Sequence, residues 1–243
     1  MNPMENFLVT LDIDWAPDYM LDEISALLEA KKVRATWFVT HDSPSVRRIA
    51  AHPLFEAGIH PNFLPGSSHG NTTEQVLAHL LQIIPGAVST RSHAVVQSGP
   101  VLHALSERLK IDSTIFLPEM PGIKPVRHLG HNNSLLRVPF YWADDYELCK
   151  TDRWTAPEKL AAKEGLKVVM FHPVHIFYNT PDIAFYNELR TRFPDLLNLP
   201  YDNAKILRHQ GQGSGSFFTD LVTFTGNNAS YRMKDIPAFY PEI

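Results

Sequence analysis

The chain has 243 residues, 44% of them hydrophobic, enough for one well-filled core and for a single domain of barrel or open α/β size. Its formal net charge of −4 comes without any clustering of Lys and Arg, which excludes a nucleic-acid footprint, and no apolar run is long enough to cross a bilayer. The single cysteine, Cys149, excludes an internal disulfide framework; with a start, "MNPMENFLVT", that lacks the basic and apolar features of a secretory signal, it points to the cytoplasm.

The predicted elements alternate between strand and helix. "FLVTLDID" is an apolar, β-rich run and predicts a buried strand. "YMLDEISALLEAKK" carries Met20, Leu21, Ile24, Leu27 and Leu28 at helical spacing, and "ATWFVT" is a second short strand. "SPSVRRIAA" predicts a helix capped by Ser43 with Pro44 at its first position. "TTEQVLAHLLQII" predicts another, with Thr72 and Gln75 spaced as a capping box. A short strand in "AVSTRSH" and a helix in "GPVLHALSERL" follow, then strand-like "IDSTIFL" and "SLLRVPFYW". "TAPEKLAAKEG" predicts a helix closed by Gly165, "LKVVMFHPVH" a late strand, and "DIAFYNELRTRF" a helix. Such alternation predicts parallel strands covered by helices, hence a barrel or a doubly wound sheet. We expect residues 1–243 to form one domain, with a linker and arm over 209–243 beginning at "HQGQGSGS".

Polar residues gather where strands should end, the ligand side of parallel α/β folds. Asp12 and Asp14, two apart on one strand, should point to one face, where two carboxylates repel unless a cation or proton intervenes. His60 and His69 flank the proline-stiffened "PNFLPGSS", and a stiff loop suits metal ligation. Arg91, in "TRSH" with His93, could pair with the acids of the first strand. His172 closes a strongly apolar strand, and His175 follows a proline. His41, His52, His79, His103, His128, His131 and His209 have no organised partners, and the four tryptophans read as core or pocket wall.

These motifs, in this order from Phe7 to His175, resemble the polysaccharide deacetylases, the NodB-homology group or carbohydrate esterase family 4, and within it the WbmS-like branch of surface-polysaccharide gene products. "TLDID" matches the Asp-x-Asp form of the opening motif, "ATWFVT" the Ala-Thr-Phe-Phe-Val strand, "EAGIH" the Glu-x-Gly-x-His motif, "IDSTI" the Asp-Ser stretch and "VVMFH" the closing strand. The resemblance implies a distorted (β/α)7 barrel and a divalent metal, with zinc as the default. It implies Asp12 as base, Asp14 and His60 as metal ligands, Arg91 as the residue orienting the base, and His172 as the group assisting departure. The family's second metal histidine lies four residues after the first, where this chain has Leu64, so His69 is the expected replacement. The implied reaction is removal of an acetyl group from an N- or O-acetylated sugar, as a small molecule or a lipid-linked precursor. The alternatives are a metal-dependent amidohydrolase for a non-sugar amide and an inactive carbohydrate-binding homologue. A paired-acid glycosidase is disfavoured, because its acids would flank the bond from different strands.

Overall fold

A computed structural model describes residues 6–129 and 133–243; His131 lies outside the described residues. Strand β1 (Phe7–Asp12) is buried along its whole length, as its apolar run predicts, because it lies between β2 (Ala35–Val39) and β9 (Lys167–Phe171), parallel to both. Next to β2 come β3 (Phe55–Ile59), β4 (Ser89–Thr90) and β5 (Ile111–Asp112), all parallel. Helices α1 (Asp18–Ala30), α2 (Pro44–Ala51), α3 (Thr73–Ile83) and α4 (Gly99–Arg108) make the crossovers. Ser43 Oγ accepts from Val46 N–H with Pro44 in the first turn, and Thr72 Oγ1 accepts from Gln75 N–H, but the expected capping box does not close, because Gln75 Oε1 accepts from Asn71 N–H and not from Thr72 N–H.

Among the described residues the sheet has nine strands in the order β6-β7-β5-β4-β3-β2-β1-β9-β8, where β6 is Val126–Leu129, β7 is Ser134–Arg137 and β8 is Trp142–Ala143. Only the β6–β7 pair is antiparallel among the described residues. The sheet curls because one stretch of chain touches both of its sides. β7 pairs with β5, Val138 N–H donates to Asp112 O, Phe140 N–H to Ile115 O and Tyr141 N–H to Val168 O, and β8 then pairs with β9. The run from β7 to β8 thus acts as one bent strand that joins β5 to β9. The result is the expected distorted barrel of seven parallel strand positions.

The departures from the sequence expectation include two elements next to the site. β3, "FEAGI", was not foreseen as a strand: Glu56, Ala57 and Gly58 have little β propensity. Gly58 is required there, since a Cβ would lie 2.6 Å from Ser89 Oγ and 2.7 Å from Ser89 O. "HPVH" is not strand: β9 ends at Phe171, and α7 (Pro173–Tyr178) begins with proline in its first turn.

After α8 (Ile183–Arg192) and α9 (Tyr201–Lys205), the glycine-rich "HQGQGSGS" runs into α10 (Ser214–Gly226). Its glycines allow close packing, since a Cβ on Gly213 would lie 2.2 Å from Asn179 O and one on Gly215 2.4 Å from Ile176 O. The last helical turn, Met233–Phe239, closes the amino-terminal mouth of the barrel. There the buried Glu56 carboxylate accepts from Thr36 Oγ1 (3.1 Å), Ser89 Oγ (2.7 Å) and Lys234 N–H (2.7 Å), and Met233 N–H donates to Thr36 Oγ1 (2.8 Å). The opposite, carboxyl mouth stays open. No helix among the described residues is long and apolar enough to cross a membrane.

Candidate active site

At the carboxyl mouth a cavity of about 540 Å³ has a polar wall of aspartates and histidines and an apolar wall that includes Phe116, Phe140 and Met170. Asp12, the last residue of β1, points inward and is buried. Its Oδ1 accepts from Arg91 Nη1 at 2.9 Å. Arg91 follows β4 into the barrel interior, where its guanidinium lies 4.7 Å from the ring centroids of both Phe38 and Phe140. Nε donates to Ser113 O, Nη2 to Ser113 Oγ and Nη1 also to Thr10 Oγ1. Five protein partners fix this cation, so the Asp12 carboxylate has one orientation and its Oδ2 is left toward His60.

Asp14 reaches the same mouth by a route other than strand alternation. β1 ends at Asp12, and Asp14 (φ 39°) and Trp15 (φ 57°) are left-handed. This turn swings the Asp14 carboxylate beneath three imidazoles. Asp14 Oδ1 lies 3.1 Å from His60 Nε2 and 3.2 Å from His93 Nδ1, those two nitrogens are 3.3 Å apart, and Asp14 Oδ2 is 3.7 Å from His172 Nε2. Burial works to raise the Asp14 pKa, but the hydrogen bonds from His60 and His93 and the adjacent imidazole charge hold it well below the ordinary carboxylate range. The hydrogen bond to Asp14 raises that of His93 against the effect of burial.

Asp14, His60 and His93 form a group able to hold a metal ion. A tetrahedral ion with ligand bonds of about 2.0–2.1 Å spaces its donors by about 3.3 Å, which is the spacing found. Without a cation, neutral imidazoles could donate to Asp14 Oδ1 only by setting two N–H groups face to face 3.3 Å apart, whereas a cation takes a lone pair from each nitrogen and from the carboxylate. The donor chemistry therefore fits a divalent cation.

The structure does not bring His69 into this group. Its Nδ1 accepts from Asn62 N–H at 3.1 Å, and its Nε2–H donates to Thr40 O at 2.8 Å, so both nitrogens are committed to backbone. Burial lowers its pKa to about 4, against the pull of the Thr40 carbonyl, which leaves it neutral near pH 7. Its ring packs against Trp15, which also meets the ring of His93, both at 5.4 Å. Asn62 braces the same loop by accepting from Leu64 N–H. His93, which the sequence offers only as a neighbour of Arg91, is the histidine that completes the group with Asp14 and His60. The available signal was its place two residues past the strand-end arginine.

His172 occupies the N-cap position of α7 and lines the same cavity, with its Nε2 turned toward Asp14. Its Nδ1 lies 2.8 Å from Oδ1 of the fully buried Asp144, in α5 (Asp144–Glu147). Both Asp144 oxygens also accept backbone N–H bonds, Oδ1 from Asp145 and Oδ2 from His172. An acceptor-only carboxylate beside an imidazole favours the ion pair. Burial pulls the His172 pKa down, but the charge and hydrogen bond of Asp144 outweigh it and hold it well above the ordinary value. His175 lies behind it, buried and clear of the cavity, against Tyr186 at 4.5 Å.

A curled parallel barrel that opens its carboxyl mouth on this cluster is the fold of the polysaccharide deacetylases and family 4 carbohydrate esterases. It is shared with the Bc1960 peptidoglycan N-acetylglucosamine deacetylase (TM-score 0.51, 13% identity over 96% of this chain and 87% of that one). It is shared also with a cobalt-bound family 4 acetyl xylan esterase from Clostridium thermocellum (TM-score 0.50, 12% identity, 97% and 91%). Within that class the chain belongs to the WbmS-like polysaccharide deacetylases, whose family model matches residues 9–190. It is 33% identical to a structure described as a putative polysaccharide deacetylase involved in O-antigen biosynthesis, WbmS of Bordetella bronchiseptica, over 91% of each chain with a TM-score of 0.77. No curated protein matches the sequence.

Proposed function

We propose that the protein is a metal-dependent hydrolase that removes an acetyl group from an N- or O-acetylated sugar of a surface-polysaccharide precursor. The observation that carries this reading is the convergence of Asp14, His60 and His93 between Asp12 and His172 on one cavity wall. The O-antigen role given for the WbmS relative supports the substrate class, and its fold-mates include enzymes for acetylated glycans. The exposed free Cys149 suits a cytoplasmic setting. The bonds from the last helical turn to Thr36 and Glu56 support one catalytic unit along the chain.

Asp14, His60 and His93 would hold the cation, with zinc the natural occupant of one carboxylate and two imidazoles. A divalent ion bound there would supply acidification of water and polarisation of the acetyl carbonyl. The residues provide the remaining chemistry. Arg91 holds Asp12 Oδ1, so Oδ2 is the oxygen placed to accept the proton of the attacking water. Asp144 fixes His172 through Nδ1, which turns the Nε2–H to the cavity as donor to the departing amine or alkoxide. An amine leaves poorly as an anion, so this donor counts most when the bond broken is an amide. Phe140 and Met170 provide an apolar wall against which an acetyl methyl excludes water. His69, with both nitrogens on backbone, braces the loop that presents His60.

Elemental analysis combined with acetate release from N-acetylated and O-acetylated sugars tests this reading. We expect about one divalent ion per chain, and activity that chelation removes and metal restores. Asp12→Asn should keep the ion and lose roughly 10²–10⁴-fold in turnover. His93→Ala should lose the ion. Full acetate release by metal-free protein would overturn the proposal.

A further inference from the structure

The segment that carries His93 is strained. Ala94 (φ 52°) and Val95 (φ 49°) are both left-handed, and for a β-branched residue that conformation is an outlier. Val95 is exposed on the cavity rim, so core packing does not impose the conformation. The restraint comes from both ends of the segment, and both ends lead to one buried carboxylate. Asp112, on β5, is fully buried. Its Oδ1 accepts from Thr114 Oγ1, and that hydroxyl in turn accepts Ser92 N–H at 3.1 Å. Its Oδ2 accepts from Nε of Arg137, its cross-strand neighbour on β7, and Arg137 Nη2 donates to Gln97 Oε1 at 2.6 Å. Ser92 and Gln97 flank the strained residues. A third tie, from His93 N–H to Pro61 O at 2.9 Å, joins the segment to the loop of His60. Asp112, Thr114, Arg137 and Gln97 do not line the cavity.

We propose that Asp112 is a positioning residue for the active site: through Thr114 and Arg137 it clamps Ser92 and Gln97 and so holds His93 against Asp14 and His60. The clamp rests on the reading of His93 as a metal ligand, and it explains why an acid and an arginine are buried together on β5 and β7, away from the reacting atoms. Two buried ions with matched hydrogen bonds give a fixed geometry, which a ligand on a strained loop requires.

The test uses Gln97, which is exposed, so that its loss leaves folding intact. Affinity for zinc is measured by competition with a chromophoric chelator, beside the thermal midpoint of the metal-free protein. Gln97→Ala should weaken zinc binding about tenfold with little change in that midpoint, and Gln97→Glu, which keeps the acceptor, should bind as the wild type does. Asn adopts left-handed backbone readily, so in a Val95→Asn background the Gln97→Ala penalty should shrink to under about threefold. Asp112→Asn should weaken binding more than Gln97→Ala, since it releases both ends. His93→Ala is the control. Weakened binding there with none in Gln97→Ala overturns the clamp alone, and unchanged binding in both overturns the ligand reading as well.

Discussion

Asp144 shows how far a residue outside the cavity can decide the chemistry within it. It is absent from the cavity wall, yet both its oxygens are bound by His172, one through the ring and one through the backbone. Asp144→Asn removes the charge that favours imidazolium and places an amide N–H against a donor. We expect turnover to fall by about 10²-fold or more, with metal content unchanged, because the hydrogen bonds of Asp144 run to Asp145, His172 and Ser214 and not to Asp14, His60 or His93. Acetate release at saturating substrate with elemental analysis reads both quantities, and a metal-poor variant would mean that Asp144 supports the ion instead. At this scale the sequence was informative about residue type and strand-end placement. Asp12, Asp14, His60, Arg91 and His172 are all found at one mouth. It was less informative about geometry. Asp12 and Asp14 look like strand neighbours on one face, but a left-handed turn that no periodicity reveals brings Asp14 round. His69 has the loop setting expected of a ligand, but backbone groups supplied by Thr40 and Asn62 occupy it, and their positions follow only from tertiary packing.

Among the elements, the last helical turn carries more of the stability than its place near the chain end implies. Met233 and Ile236 are both completely buried, and the turn's backbone satisfies Thr36 and Glu56 at the closed mouth. Met233→Ala should cost about 2–5 kcal/mol, as core truncations do, and not the near-zero cost of a frayed terminus. Urea unfolding measures it, and a loss under about 0.5 kcal/mol would show that the turn does not seal the barrel. This role was hidden in the sequence, because "RMKDIPAF" has too short a pattern to reveal what it covers. β1, β2 and β9 were legible as short apolar runs, and α1, α2 and α3 as amphipathic repeats, the last two with side-chain caps. β3 was not, because its residues answer to partners: Glu56 to Thr36, Ser89 and Lys234, and Gly58 to the close approach of Ser89. The start of α7 could have been read from Pro173, which suits a first helical turn better than a strand interior.

For the molecule as a whole, two buried neutral histidines should set the response to acid. His175 has its pKa lowered to about 3, by burial first and then by the charge of His172, and His69 has its own lowered to about 4 by burial. In the unfolded chain each should titrate near the ordinary value of about 6.5. Between the two values the unfolded state binds protons that the folded state refuses. Stability is therefore fully present above the unfolded value and is lost as pH falls toward the folded one. Each group contributes up to about 1.4 kcal/mol per pH unit across that window. His172 works in the other direction: its raised pKa favours the folded state while it is protonated, and that contribution fades as pH rises through the folded value. His175 lies clear of the proposed metal group, so it can be changed without altering the ligands. His175→Asn retains a polar atom for Thr180 Oγ1, which lies 3.3 Å from Nδ1, and removes the titration. Unfolding free energies of wild type and variant, measured in urea at several pH values between about 4 and about 6, should converge on acidification, with the wild-type slope steeper by about one proton. Parallel curves would mean that the His175 site admits a proton in the folded state, and the acid response would then belong to His69 and to protonation of the metal-binding group.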